Sequence, residues 1–172
     1  QFNQVRNMND DENLAQFAER VQTIVQDKSI ENIVVDVRWN TGGNNYLCMP
    51  LLHYLIGYDA LKLGRIFTII GRRTFSAAQN FVSLLERHTN TIFVGEPTGS
   101  SPNFIGETRT TQLPYSKLVF SVSDLFWQNS VPTDTRPYIA PHIYTPLTYD
   151  DILKGDDPAM HAIIAELNAI SA

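Results

Sequence analysis

The chain has 172 residues, 43% hydrophobic and 18% charged, which suits one folded domain with enough apolar content to bury a core. A net charge of −5, with the thirteen Lys and Arg scattered rather than gathered into a stripe, argues against a nucleic-acid surface. The single cysteine, Cys48, excludes an intramolecular disulfide, and no run of about eighteen apolar residues is available to span a membrane.

In chain order, Gln1 to Val5 alternates polar and apolar residues as a short half-buried strand does. Asn9-Asp10-Asp11-Glu12 offers capping groups and early negative charge for a helix, whose Leu14, Phe17, Val21, Ile24 and Val25 form one apolar stripe. The β-branched run Asn32 to Arg38 predicts a buried parallel strand ending in a glycine-rich loop, Asn40 to Asn44. A helix over Leu47 to Tyr58, a strand over Arg65 to Gly71, a helix over Ser76 to Arg87 and a strand over Thr91 to Val94 repeat the pattern. Strand, glycine turn, helix, strand is the grammar of an α/β fold with a parallel sheet.

Gly95 to Gly106 reads as a long loop, and Thr108 to Leu113 with Lys117 to Leu125 as a hairpin turning at Pro114-Tyr115-Ser116. Asp157-Pro158 opens a closing helix with Met160, Ile163, Ile164 and Leu167 as its apolar positions. Cys48, in an apolar stretch with no basic residue beside it, reads as a small buried hydrophobe. No His pair or Cys cluster has metal-ligand spacing, so neither a metal nor another cofactor is expected.

The segment that bears on chemistry is Arg72-Arg73-Thr74-Phe75-Ser76-Ala77-Ala78-Gln79. A serine at a strand-to-helix joint presents its hydroxyl at a helix N-terminus, with the amide of the next residue, Ala77, ready as an oxyanion donor. Ser76-x-x-Gln79 equally fits a capping box, which would make Ser76 a helix cap. Gly42-Gly43 reads either as a turn or as a backbone that approaches a ligand without a Cβ in the way.

Four short segments, in order, resemble the C-terminal processing (tail-specific) proteases and the tricorn core. Asp36-Val37-Arg38-Trp39-Asn40-Thr41-Gly42-Gly43 is similar to their Asp-x-Arg-x-Asn-x-Gly-Gly signature, and Ser76-Ala77 to their nucleophile turn. Gly95-Glu96-Pro97-Thr98 resembles their Gly-Glu-x-Thr loop, and Ile139-Ala140-Pro141-His142-Ile143 their closing Val-x-Pro-Asp-Ile, with His142 in place of Asp.

The resemblance implies a Clp protease/crotonase-like α/β fold, with repeated strand-strand-helix units around a mainly parallel sheet. It implies a serine peptidase acting on peptide or protein substrates, with Ser76 as nucleophile and with Ala77 and Gly42 or Gly43 as oxyanion donors. The lysine that serves as base in the bacterial enzymes has no counterpart, since Ser101 stands at its place. In the tricorn-like branch the base is a histidine upstream of the glycine pair, and the acidic member falls near Asp134. Asp134 is then either an orienter or the partner of Arg136 in a local turn.

His53, His88, His142 and His161 match no base position. Residues 1–172 are therefore expected to form one domain, the C-terminal catalytic core of a longer peptidase, with Phe104 as an apolar substrate contact. The opening strand would leave a sheet edge through which a homo-oligomer could form. An extracytoplasmic setting (secreted, periplasmic or cell-envelope) is favoured by the resemblance. A non-catalytic, protease-like binding or scaffold domain is the alternative. A crotonase-like acyl-CoA enzyme is a weaker one, since it gives Ser76 no role.

Overall fold

The computed structural model describes residues 1–7 and 12–170. The elements run α1 (Leu14–Asp27), β1 (Asn32–Asp36), a 3-10 turn (Asn45–Cys48) leading into α2 (Met49–Ala60), β2 (Arg65–Ile70), α3 (Ala77–His88) and β3 (Ile92–Gly95). A long hairpin follows, β4 (Asn103–Gln112) and β5 (Val119–Gln128), then β6 (Ile143–Tyr144), α4 (Tyr149–Lys154) and α5 (Pro158–Ile170).

The sheet has the order β1-β2-β3-β6 with every pairing parallel, and β4 and β5 form a separate antiparallel ribbon. Helices cover both faces of the sheet, which is why β2 is buried continuously from Ile66 to Ile70 rather than alternating. Ile66 and Ile70 point to the larger core, built with Leu52, Leu55, Phe81 and Leu85 of α2 and α3 and flanked by Leu14, Phe17 and Val21 of α1. Phe67 and Ile69 point the other way, into a smaller core with Val94 and with Ala159 and Ile163 of α5. On α5 the expected apolar position Ile164 stands 50% exposed, outside that core.

Three expectations change. The opening residues make no regular strand: the Phe2 amide donates to Asp36 O (2.8 Å), and Val5 forms an isolated parallel bridge with Gly43. Both side chains are buried there, so the segment seals the end of β1 rather than lengthening the sheet. The region read as a loop to Gly106 becomes strand from Asn103, and the hairpin reaches Gln128. The capping residues expected at Asn9 to Asp11 lie outside the described residues. The cap of α1 is Asn13, in a reciprocal box with Gln16, while Glu12 pairs with Arg20 (2.7 Å). Cys48 is buried as expected, and loss of hydration pushes its thiol up to about 11, away from nucleophilic use.

Among the described residues no helix is long and apolar enough to cross a membrane. Phe81 is the central ring of the larger core, fully buried and edge-on to Phe2 at 5.9 Å between centroids. Phe81→Ala is expected to lower the unfolding free energy by about 3–5 kcal/mol, read from urea denaturation. A loss below about 1 kcal/mol would mean that this core is not packed as described.

Candidate active site

The turn between β2 and α3 ends on Ser76, whose backbone stands at φ 55° and ψ −125°. Left-handed φ in a residue with a Cβ is a strained conformation, worth roughly 1–3 kcal/mol, and persists only where the surroundings enforce it. Several contacts enforce it. Thr74, fully buried, donates its hydroxyl to Val37 O (2.9 Å) and accepts the Gly71 amide (3.0 Å). The Phe75 amide donates to Asn40 O (3.1 Å), and the Gly99 amide to Thr74 O (3.0 Å). The turn is thus fastened on one side to the loop after β1 and on the other to the loop after β3.

Gly42 completes the constraint. Its φ is 101°, and a Cβ built on it would lie 2.7 Å from both the Ala77 nitrogen and the Ser76 Cβ. The main chain of the Gly42-Gly43 loop therefore lies directly against the serine turn, at a distance that only glycine permits. The Gly42 amide is committed to Asn40 Oδ1 (2.9 Å), whereas the amides of Gly43 and Ala77 have no partner among the described residues. Of the two glycines named from the sequence, Gly43 is the one with a free donor.

Ser76 does not cap α3. Its side chain makes no cap hydrogen bond, and Gln79 is fully buried and directed to Ser83 Oγ (3.4 Å) rather than back to the turn. The capping-box reading fails because positive φ removes Ser76 from the extended geometry that a cap needs. The hydroxyl has no hydrogen-bond partner among the described residues, and it stands at the first turn of a helix, where the amide dipoles favour negative charge.

The signature residues beside the serine are fasteners. Arg38 donates to Asp36 through Nε (3.0 Å) and to Asp157 through both terminal nitrogens (2.9 and 2.8 Å), tying the end of β1 to the start of α5. Thr98 closes the loop after β3, accepting the Ile139 amide (2.9 Å) while its own amide donates to Ile139 O (3.1 Å). Ser101 donates its hydroxyl to Asn103 O (2.7 Å).

Asp134 is held in a network of its own. Its carboxylate accepts from Arg136 Nε (2.9 Å) and Nη2 (2.7 Å) and from Ser130 Oγ (2.6 Å). Arg136 also grips Glu86 of α3 with two bonds of 2.8 Å. The Arg136 guanidinium, with help from Ser130, holds the Asp134 carboxyl far below the usual carboxylate range. This is the turn-pair alternative, extended by Glu86, a partner 50 residues away that sequence reasoning missed.

Phe104, the expected substrate contact, is 8% exposed and packs on Phe75 (6.1 Å between centroids), and Phe75, 46% exposed, is the ring open to solvent beside Ser76. His142 is bound into the sheet. Its Nδ1 accepts the Phe93 amide (2.8 Å) and its ring stacks on Phe93. His53, His88 and His161 are exposed on helices.

No protein-family model matches the chain, and no curated protein matches it in sequence. Solved structures match its fold. A Bacteroides fragilis protein assigned to the S41 proteases superposes with a TM-score of 0.63 at 13% identity, over 98% of this chain and 53% of its own. The photosystem II D1 C-terminal processing protease gives 0.60 at 14% identity, over 84% of this chain and 41% of its own. The tricorn protease gives 0.52 at 14% identity, over 88% and 19%. The chain shares the mainly parallel, Clp protease-like α/β fold of these S41 peptidases and spans about half of their length or less.

Two outcomes follow from the geometry. Ser76→Gly relieves the strained φ at a modest entropic cost in the unfolded chain, and is expected to raise the unfolding free energy by about 1 kcal/mol. Ser76→Ala retains the strain and serves as its control. Because the folded Asp134 carboxyl is depressed, its contribution to stability is complete above its unfolded value of about 3.9 and lost as pH falls toward the folded value. The stability gap between wild type and Asp134→Asn is therefore expected to be widest near neutrality and to narrow below about pH 4 in urea titrations.

Proposed function

We propose that this chain is a serine peptidase core that hydrolyses peptide bonds of peptide or protein substrates through Ser76. One observation carries the reading: a serine in enforced left-handed backbone, its hydroxyl unpartnered among the described residues, stands at a helix N-terminus against a glycine backbone. Helix caps do not require that strain, whereas a nucleophile on a strand-to-helix elbow uses it to expose its oxygen.

In this reading Ser76 Oγ attacks the scissile carbonyl, and the carbonyl carbon becomes tetrahedral as its oxygen takes the negative charge. The amides of Ala77 and Gly43 donate to that oxyanion, each worth about 10²–10³-fold in rate. The serine proton needs an acceptor, and neither a lysine nor a histidine is hydrogen-bonded to Ser76 among the described residues. The base is assigned to residues outside these 172, a reading supported by the fraction of each S41 neighbour that the chain spans. Asp134 would orient that base only after giving up part of its grip on Arg136. The similar fold of the D1 C-terminal processing protease favours a C-terminal processing type of peptidase, and the sequence resemblance favours an extracytoplasmic setting.

That no lysine or histidine is bonded to Ser76 among the described residues also favours a second reading, a protease-like binding domain without turnover. Fluorophosphonate labelling, read by intact mass, separates the two. The complete gene product is expected to gain one adduct that Ser76→Ala abolishes. The 172-residue chain alone is expected to turn over peptides at least about 10⁴-fold more slowly, as for other serine hydrolases deprived of their base. Absence of an adduct under conditions that label a known serine hydrolase would favour the binding reading, and rapid peptide turnover by the chain alone would overturn the assignment of the base.

A further inference from the structure

A cavity of about 310 Å³ opens at the carboxyl ends of β1, β2 and β3, between the sheet and the segment from β6 to α5. Neither Ser76, Ala77 nor the glycine pair lines it. In open parallel sheets this end of the strands is where ligands bind, because the loops there diverge and leave a crevice. Its volume stands at the lower limit of small-molecule sites, which excludes a dinucleotide or another large cofactor.

The lining has two chemistries. Ile69, Leu147, Ile152 and Ala159 supply apolar wall, and Trp39, 43% exposed, stands beside them. The charged lining is three arginines against one glutamate. Arg38 is saturated by Asp36 and Asp157, and Arg72 is paired with Glu96 (2.7 Å). Arg73 is exposed and has no acidic partner among the described residues. A planar cation left unpaired at the rim of an apolar pocket suits a carboxylate, which it can meet with two parallel hydrogen bonds.

We infer that this cavity binds a small carboxylic acid with a short apolar chain, its carboxylate on Arg73 and its chain against Ile69, Leu147 and Ala159. The site is independent of the peptidase reading, since no lining residue is shared with the proposed oxyanion donors. Its occupant would nevertheless touch Gly71 and Arg73, which begin the turn that carries Ser76.

The test is a titration of this chain with 3-phenylpropionate and with 3-phenylpropionamide, followed by ¹H–¹⁵N NMR at the Trp39 indole and the Gly71, Arg73 and Gly95 amides. The acid is expected to shift these signals saturably with a Kd on the order of 1 mM or tighter. The neutral amide and the Arg73→Gln variant are each expected to bind at least about tenfold more weakly. Arg73 is on the surface, so its replacement leaves the fold intact and the comparison sound. Equal binding of acid and amide, unchanged binding by Arg73→Gln, no saturable shift, or shifts confined to residues outside this cavity would each overturn the inference.

Discussion

The site depends on one buried amide side chain. Asn40 is fully buried, and each of its polar groups is used. Its Nδ2 donates to Phe2 O (2.8 Å) and its Oδ1 accepts the Gly42 amide. Its own amide donates to Val37 O (3.0 Å) and its carbonyl accepts the Phe75 amide. One residue thus joins the opening segment, the end of β1, the glycine loop and the serine turn. A buried amide left without these partners would cost about 1–3 kcal/mol for each group, so the four segments are held together or released together.

That constraint explains how a strained serine survives. The strain is local, but the contacts that oppose its release come from three loops at the carboxyl ends of successive strands. Gly42 presses from the first, Thr74 is pinned within the second, and Gly99, whose Cβ would lie 2.3 Å from Arg72 O, closes from the third. The parallel sheet sets the separation of those loops through its strand register. The motif residues of the S41-like pattern are therefore chiefly fasteners, and the proposed chemistry would rest on one hydroxyl and two amides. Asp134 belongs to a separate fastening, which ties the segment after β5 to α3 through Arg136 and Glu86.

Much of this was legible in the sequence where the signal was local. β-branched runs ending in glycine marked β1 and β2, and apolar spacing marked α1, α3 and α5. Ser76 was ambiguous because Ser-x-x-Gln is the same string in a cap and in an elbow. What separates them is the backbone angle, which depends on contacts distant in sequence, among them Gly42, 34 positions earlier in the chain. The contact of Phe104 with Phe75 was not legible, because a lone aromatic in a loop does not reveal its packing partner. β6 was missed because two residues carry no periodicity. α4 carried its own signal, a Thr148 to Asp151 capping box and a left-handed Gly155 at its end, and could have been found.

The ribbon of β4 and β5 has two unlike ends. At its base Asn103 clasps the following segment, donating to Val131 O (2.9 Å) and accepting the Ser130 amide (2.9 Å), while Phe104 packs against Phe75. Farther out, Val119, Phe120 and Val122 are more than 40% exposed, and the strands are held mainly by their own ladder and an Arg109–Asp124 ion pair. Two strands without a covering layer have little stability of their own. Amide protons near Tyr115 should therefore exchange with solvent through local fraying, while those near Asn103 wait for a larger opening. A single secondary-structure element thus spans a gradient from rigid anchor to loose arm.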